Sequence, residues 1–353
     1  MTIVDLPERL RQALAAELDG FSIRELGRAA DRLSQRYRAD HPAIGPILAT
    51  PLDSAAYLTT RMPATYAAAR QVFDRLAAAR PDFRPRTMLD VGAGTGACTW
   101  AAAAAFPSLE TSHLVDSSAP ALAAAQRMLA DSQLVVTCAP DVLGRERVEA
   151  TAGWATKGGF DLAVCGFLLG ELDPEEHGHV VSRMAGAAAV VAVIEPGTPA
   201  GYRRVLKARA TLVGAGRKLL APCPHEQSCP LEPTQDWCHF AVRLTRSVRH
   251  RQIKRGERGY EDEKYSYVVA STEPPVDRSS RILRHPQIRT GHVRMTLCTT
   301  DPGIEESTVS KRQGESYRAA RRAGWGDPWP GLIPIGQPSH LEGRIFPITR
   351  DSQ

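Results

Sequence analysis

Between Thr87 and Gly197 the chain alternates short apolar runs with stretches of helical period, and this alternation restricts the available folds more than any other feature. The runs "TMLDVGAG", "TSHLVDSS", "QLVVTCAPDVL" and "FDLAVCGFLLGEL" and the end of "SRMAGAAAVVAVIEPG" read as strands. "ACTWAAAAAFP", "APALAAAQRMLAD" and the start of the last run read as helices between them. Strands that alternate with helices form a parallel sheet covered on both faces, so the expected class is α/β with a Rossmann-like sheet. Upstream, "LPERLRQALAAEL", "SIRELGRAADRLSQRYRA" and "MPATYAAARQVFDRLAAAR" repeat apolar residues at three and four positions, which predicts an N-terminal helical region over 1–84. The prolines of "RPDFRPR" mark its boundary.

Composition excludes several classes. The chain is 43% hydrophobic and 24% charged, as soluble globular proteins are. It has no apolar run long enough to span a bilayer, and its first residues lack an apolar signal core. A cytoplasmic protein with no membrane partner is expected. In that compartment cysteines are metal ligands or redox groups more readily than disulfides.

The turn after the first strand of the alternation reads "DVGAGTG", with Asp90, Gly92, Gly94 and Gly96. Glycine lets the backbone approach a ligand closely. Asp116 ends the next strand, where an acid reaches ribose hydroxyls, and Asp141 ends the third. An acid leading such a loop resembles the S-adenosylmethionine site of class I methyltransferases. That resemblance implies Asp90 at the methionine portion and Asp141 at the adenine amine. The competing reading is a Rossmann-like loop that binds nothing. No catalytic residue is identified. The stretch "CGFLLGEL", Cys165 to Leu172, has no amine-holding amide–proline motif. Cys165 reads as a buried strand thiol, and Glu171 is one isolated acid.

Downstream, "APCPHEQSCPLEPTQDWCHF" gathers Cys223, Cys229 and Cys238, and Cys298 lies in the later run "HVRMTLCTT". Four thiolates hold either zinc or an iron–sulfur cluster. The loop lacks the tight pairs of zinc sites, and two of its cysteines precede proline. His225 and His239 are alternative ligands or polar loop residues. A basic segment, expected as a helix over 242–258, follows with Arg243, Arg246, Arg249, Arg251, Lys254 and Arg255, and a second basic group includes Lys311 and Arg312. Both have the charge expected for a phosphate backbone. The runs at 264–272 and 292–300 are expected to close the sheet as an antiparallel pair. This makes 85–204 the cofactor-binding core, 205–262 a cysteine-rich and basic insertion, 263–300 the closing strands and 301–353 a basic extension.

Together "RMPATYAA", "LDVGAGTG", "IEPGTPAGY", "APCPHEQSCPL", "DWCHFAVRLTRSVRHRQIK" and "SKRQGESYRAARRAGWGD" resemble the small-ribosomal-subunit assembly family of methyltransferase-like proteins, from about Tyr57 to Asp327. The resemblance implies a factor that binds small-subunit rRNA and the immature small subunit; separately, nothing in the sequence suggests a dimer seam, so a monomer is expected. It also implies a [4Fe–4S] cluster on Cys223, Cys229, Cys238 and Cys298. It does not imply methyl transfer. The alternatives are an active rRNA methyltransferase using S-adenosylmethionine, and a small-molecule methyltransferase with structural zinc.

Overall fold

The computed structural model describes residues 3–38, 45–141, 159–254 and 258–331. The alternation folds as a parallel sheet. Strands β2 (Thr87–Val91), β3 (Thr111–Asp116), β4 (Val135–Pro140), β5 (Phe160–Gly166) and β6 (Ala188–Pro196) lie in the order β4-β3-β2-β5-β6. Next to β6 runs β9 (Tyr260–Ser271), antiparallel, with Val190 opposite Ser271 and Pro196 opposite Tyr265. The far edge of β9 is shared by β7 (Lys218–Ala221) and β8 (Phe240–Thr245), each antiparallel to it. The two are one sheet position occupied in two pieces. β1 (Ile3–Val4) pairs in parallel with β8 and ends the sheet. Five parallel strands, an antiparallel β9 and an outer strand beyond it make a methyltransferase-like α/β sheet.

Both faces are covered. Helices α1 (Glu8–Glu17), α2 (Ile23–Arg38), α3 (Pro51–Thr60), α4 (Met62–Ala79), α5 (Ala97–Ala105) and α6 (Ala119–Leu129) contribute to one core with Leu10, Leu26, Phe73 and Leu122. On the other face α7 (His177–Ala187) and α8 (Pro199–Gly214) bury Val181, Met184, Val205 and Leu212 against Val191 and Val268. Local chemistry sets the helix starts. The side chains of Thr50, Ser118 and Thr198 accept from Asp53 N, Ala121 N and Gly201 N, each beside a proline in the first turn.

The sheet is not closed as the sequence reading expected. Residues 292–298 form β12 (His292–Cys298) of a second sheet, with β10 (Ser280–Ile282), β11 (Gln287–Arg289), β13 (Ile304–Ser310) and β14 (Pro328–Trp329). Its own small core joins Ile282, Val293, Met295, Leu297, Val309 and Trp329 to Ala320 of α10 (Gly314–Arg322). The reason is geometric: both edges of β9 are already occupied, by β6 and by the β7–β8 pair. The described part of the expected C-terminal extension is therefore a working part of this second sheet. The expected basic helix over 242–258 is also corrected. Phe240, Val242 and Leu244 are buried on alternate positions of β8, a strand period, and only the seven residues of α9 (Val248–Lys254) are helical.

A prediction concerns the turn from β6 into α8. A Cβ on Gly201 would lie 2.0 Å from Pro196 O, whereas one on Gly214, at the far end of the same helix, would meet nothing within 4 Å. Gly201→Ala should destabilise the chain by about 2–4 kcal/mol in urea unfolding. Gly214→Ala should be neutral or stabilise by up to about 1 kcal/mol. Equal effects would contradict the tight turn.

Candidate cofactor loop and cysteine centre

At the carboxyl end of β2 the chain turns through Gly92, Gly94 and Gly96 with φ of 69°, 52° and 80°. A side chain at Gly92 would strike Leu168 at 2.7 Å, while one at Gly94 would meet open space. The glycines thus permit a left-handed path with one side held against Leu168 and Gly94 facing outward. Asp90 is buried beneath the loop. Its Oδ2 accepts from Thr99 N and Oγ1 at 3.1 and 2.8 Å, and its Oδ1 has no partner among the described residues. Burial pushes its carboxyl up to about 7. Asp116 accepts from Gly94 N and from Ser118 N, both at 2.7 Å, so the acid expected at a ribose also braces the glycine turn. Asp141 follows β4, and its backbone N–H donates to Asp116 O at 3.0 Å.

The sequence reading missed the acid that shapes the neighbouring wall. Glu195 near the end of β6 is fully buried, accepting from Leu169 N at 2.9 Å and from Arg204 Nε at 2.6 Å. Burial pushes Glu195 up to about 7, and burial with Asp116 and Glu195 nearby pushes Glu171 up to about 8. The signal was present: one carboxylate in the apolar run "AVVAVIEPG". Cys98 and Cys165 are buried below the loop, and burial pushes both thiols well above their usual value. A thiol so held is a poor nucleophile, which supports the reading of Cys165 as a core residue.

The four downstream cysteines come together. Cys223, Cys229, Cys238 and Cys298 line one cavity with Tyr202, Arg209, Pro222, Tyr267 and Arg281. β7 ends its pairing at Ala221 opposite Val269, and β8 resumes it at Phe240 opposite Tyr265. The cysteine loop is the detour between these pairs, and Cys298 approaches from β12. Tyr202 Oη lies 3.3 Å from Cys229 Sγ. His225 Nε2 lies 4.0 Å from Cys298 Sγ. His239 instead stacks on Trp237, its Nδ1 3.1 Å from Trp237 O. Burial raises the thiols of Cys223 and Cys238, and burial with Cys223 and Cys229 nearby takes Cys298 to about 12. Among the described residues, no three His, Cys, Asp or Glu side chains are grouped closely enough to hold a single metal ion.

The basic residues divide into two environments. Arg243 makes a two-pronged pair with Asp262, and its guanidinium lies 3.8 Å from the centre of the Tyr260 ring. Arg246 pairs with Glu261 at 3.3 Å, and Arg249 donates to Leu18 O at 3.1 Å. Arg251 and Lys254 are exposed on α9, and Arg255 lies outside the described residues. Lys311 and Arg312 are exposed and border an open recess with Gly291 and Ser310.

Asp90 gives a test in pH. Its native value of about 7 lies above the ~4 of an unfolded aspartate, so the native state binds more protons in between. Its contribution is fully present below about pH 4 and is lost as pH rises through about 7. Asp90→Asn should therefore flatten the fall in urea midpoint between pH 5 and 8. An unchanged slope would show that Asp90 is not protonated in the native chain.

Residues 51–330 match the family described as mitochondrial small ribosomal subunit Rsm22. The chain is 30% identical over 304 residues to the human ribosome assembly protein METTL17, mitochondrial, covering 81% of this chain and 64% of that protein. It is 26% identical over 206 residues to the mitochondrial Rsm22-cox11 tandem protein 2 of Schizosaccharomyces pombe, covering 46% of this chain and 26% of that one. It thus spans less than two thirds of either relative. Among solved structures, an O-methyltransferase family protein from Burkholderia thailandensis has a TM-score of 0.39 at 14% identity, covering 75% of this chain and 72% of that one. With the family match running from α3 to beyond β14, the chain belongs to the Rsm22 family.

Proposed function

We propose that this chain is an assembly factor of the small ribosomal subunit that binds rRNA and carries a [4Fe–4S] cluster. The observation that carries the reading is the gathering of Cys223, Cys229, Cys238 and Cys298, up to 75 positions apart in sequence, around one cavity. The donor set fits such a group. Four thiols are the usual ligands of an iron–sulfur cluster. The loop lacks the tight cysteine pairs of zinc sites, and Cys223 and Cys229 each precede proline, which favours the cluster over a single zinc ion. These cysteines would hold it, and the group would supply a cross-link between the loop and β12. Ligation requires deprotonated thiols, so loading costs the protons that burial retains and is coupled to the folding of the loop.

The names of the relatives favour the small subunit as partner. For rRNA the Lys311–Arg312 corner is better disposed than β8, whose Arg243 and Arg246 are engaged by Asp262 and Glu261. S-adenosylmethionine fits the glycine turn, with Asp90 Oδ1 unpartnered and Gly94 facing open space; Asp90, Gly94 and Asp116 would hold it. When bound it supplies a transferable methyl group. The protonated Glu171 and buried Cys165 are poorly suited to accept a proton there at neutral pH.

The cluster test is anaerobic purification with iron, sulfide and zinc assays on one sample. About four irons per chain and a broad band near ~400 nm are expected, and Cys298→Ser should lower the iron content. One zinc and no iron would defeat the cluster reading. For RNA, Lys311→Glu with Arg312→Glu should weaken binding to a small-subunit rRNA fragment about tenfold or more. It should also reduce the salt slope by about 1–2. Arg243→Glu should act mainly on stability. Tight binding that ignores both salt and the Lys311 and Arg312 reversal would refute this surface.

A further inference from the structure

The cysteine cavity contains an electrostatic imbalance that the thiol ligands alone do not explain. Arg209 and Arg281 line it and are only 7% and 9% exposed. Arg281 donates through Nε to Pro222 O at 2.9 Å and through Nη1 to Gly326 O at 3.0 Å. Arg209 donates through Nη2 to His225 O at 2.9 Å and to Gln227 O, while its Nε is buried with no partner among the described residues. Every one of these acceptors is a neutral carbonyl. Among the described residues, no carboxylate lines the cavity and neither guanidinium forms an ion pair. A guanidinium stays charged at any physiological pH, and burying such a charge without an anion is costly. Asp327, the one carboxylate whose field reaches Arg281 among the described residues, is already paired with Arg75 at 2.6 Å, so four neutral thiols leave most of that cost in place. Four thiolates around a [4Fe–4S] core leave a net charge of about −2, which two guanidiniums balance.

We infer that Arg209 and Arg281 are the counter-ions of the thiolate-bound group. They stabilise its anionic state from inside the wall and so set its reduction potential. The inference rests on the proposed cluster and goes beyond it, since it assigns two residues outside the ligand set. The chemistry follows from charge. One-electron reduction makes the group more negative, and adjacent fixed cations favour that form, raising the potential. Both arginines also hold carbonyls of the ligand loop, so each is a positioning residue as well. A readout that follows charge rather than shape is therefore needed.

The experiment is an anaerobic redox titration of the full chain, followed by visible absorption and electron paramagnetic resonance. It compares wild type with Arg209→Gln, Arg209→Lys, Arg281→Gln and Arg281→Lys, each with iron and sulfide measured. The Gln variants should shift the reduction equilibrium at least tenfold toward the oxidised form, ~59 mV for one electron, and the Lys variants should recover most of it. Potentials unchanged in Gln variants that retain full iron would overturn the inference. If the Gln variants do not load, loading by folded Lys variants supports a charge role, and equal loss in Lys and Gln overturns it. A wild-type chain that takes up zinc alone defeats the cluster reading separately. The arginines are then tested by zinc affinity, which Gln should lower about tenfold and Lys should preserve. A wild-type chain that takes up neither metal overturns both.

Discussion

The architecture depends on β9 having partners on both edges. β6 holds one edge from Tyr265 to Ser271, and the other is held by β7 at one end and β8 at the other. The chain leaving Ala221 must therefore return at Phe240 to the same edge of the same strand. Both ends of the detour are pinned by backbone ladders, so much of its closure entropy is already spent by the sheet. Cys223 and Cys238 stand at its two mouths for that reason. Ser266 Oγ donates to Cys238 O at 2.7 Å, fixing the returning end over the middle of β9. The thiol site is thus a consequence of a broken sheet position.

The two candidate sites carry opposite charge imbalances. At the carboxyl ends of β2, β3 and β6 the buried acids outnumber the cations. Arg204 serves Glu195, while among the described residues the donors to Asp90 and Asp116 are neutral. Burial answers this by keeping protons on Asp90, Glu171 and Glu195 near neutral pH. At the cysteine cavity the buried cations are Arg209 and Arg281, which have no such recourse. A proton relieves an unpaired carboxylate, whereas an unpaired guanidinium requires an anion.

Much of this was legible in the sequence, for physical reasons that differ by element. The parallel strands were readable because buried strands are continuous apolar runs, and the glycine turn because its three positive φ values need glycine. The cysteine set was readable only as a set of residue types. Its gathering depends on β12 crossing over from a second sheet, which no local pattern encodes. β8 was misread because Arg243, Arg246 and Arg249 repeat at three positions, while the strand period lies in Phe240, Val242 and Leu244. Arg209 was also visible in principle. It sits four residues after Val205 and three before Leu212, on the apolar stripe of α8. Its meaning appears only with the cavity. Lys311 and Arg312 were found by charge; among the described residues neither forms an ion pair.

The second sheet also links the cysteine cavity to the basic Lys311–Arg312 corner. Its core is small, and α10 covers it, a scale at which a sheet is marginal on its own. Specific attachments tie it to the body. Arg75 pairs with Asp327 at 2.6 Å, Arg281 spans from Pro222 O to Gly326 O, and Cys298 enters the cysteine cavity. Lys311 follows directly on β13, and its backbone N–H donates to Gly291 O at 2.7 Å in the turn before β12. The strand that presents Cys298 to the cavity thus begins beside the basic corner. On the proposed reading, a group bound by the four thiols would stiffen β12 at one end and so hold the phosphate-facing residues at the other.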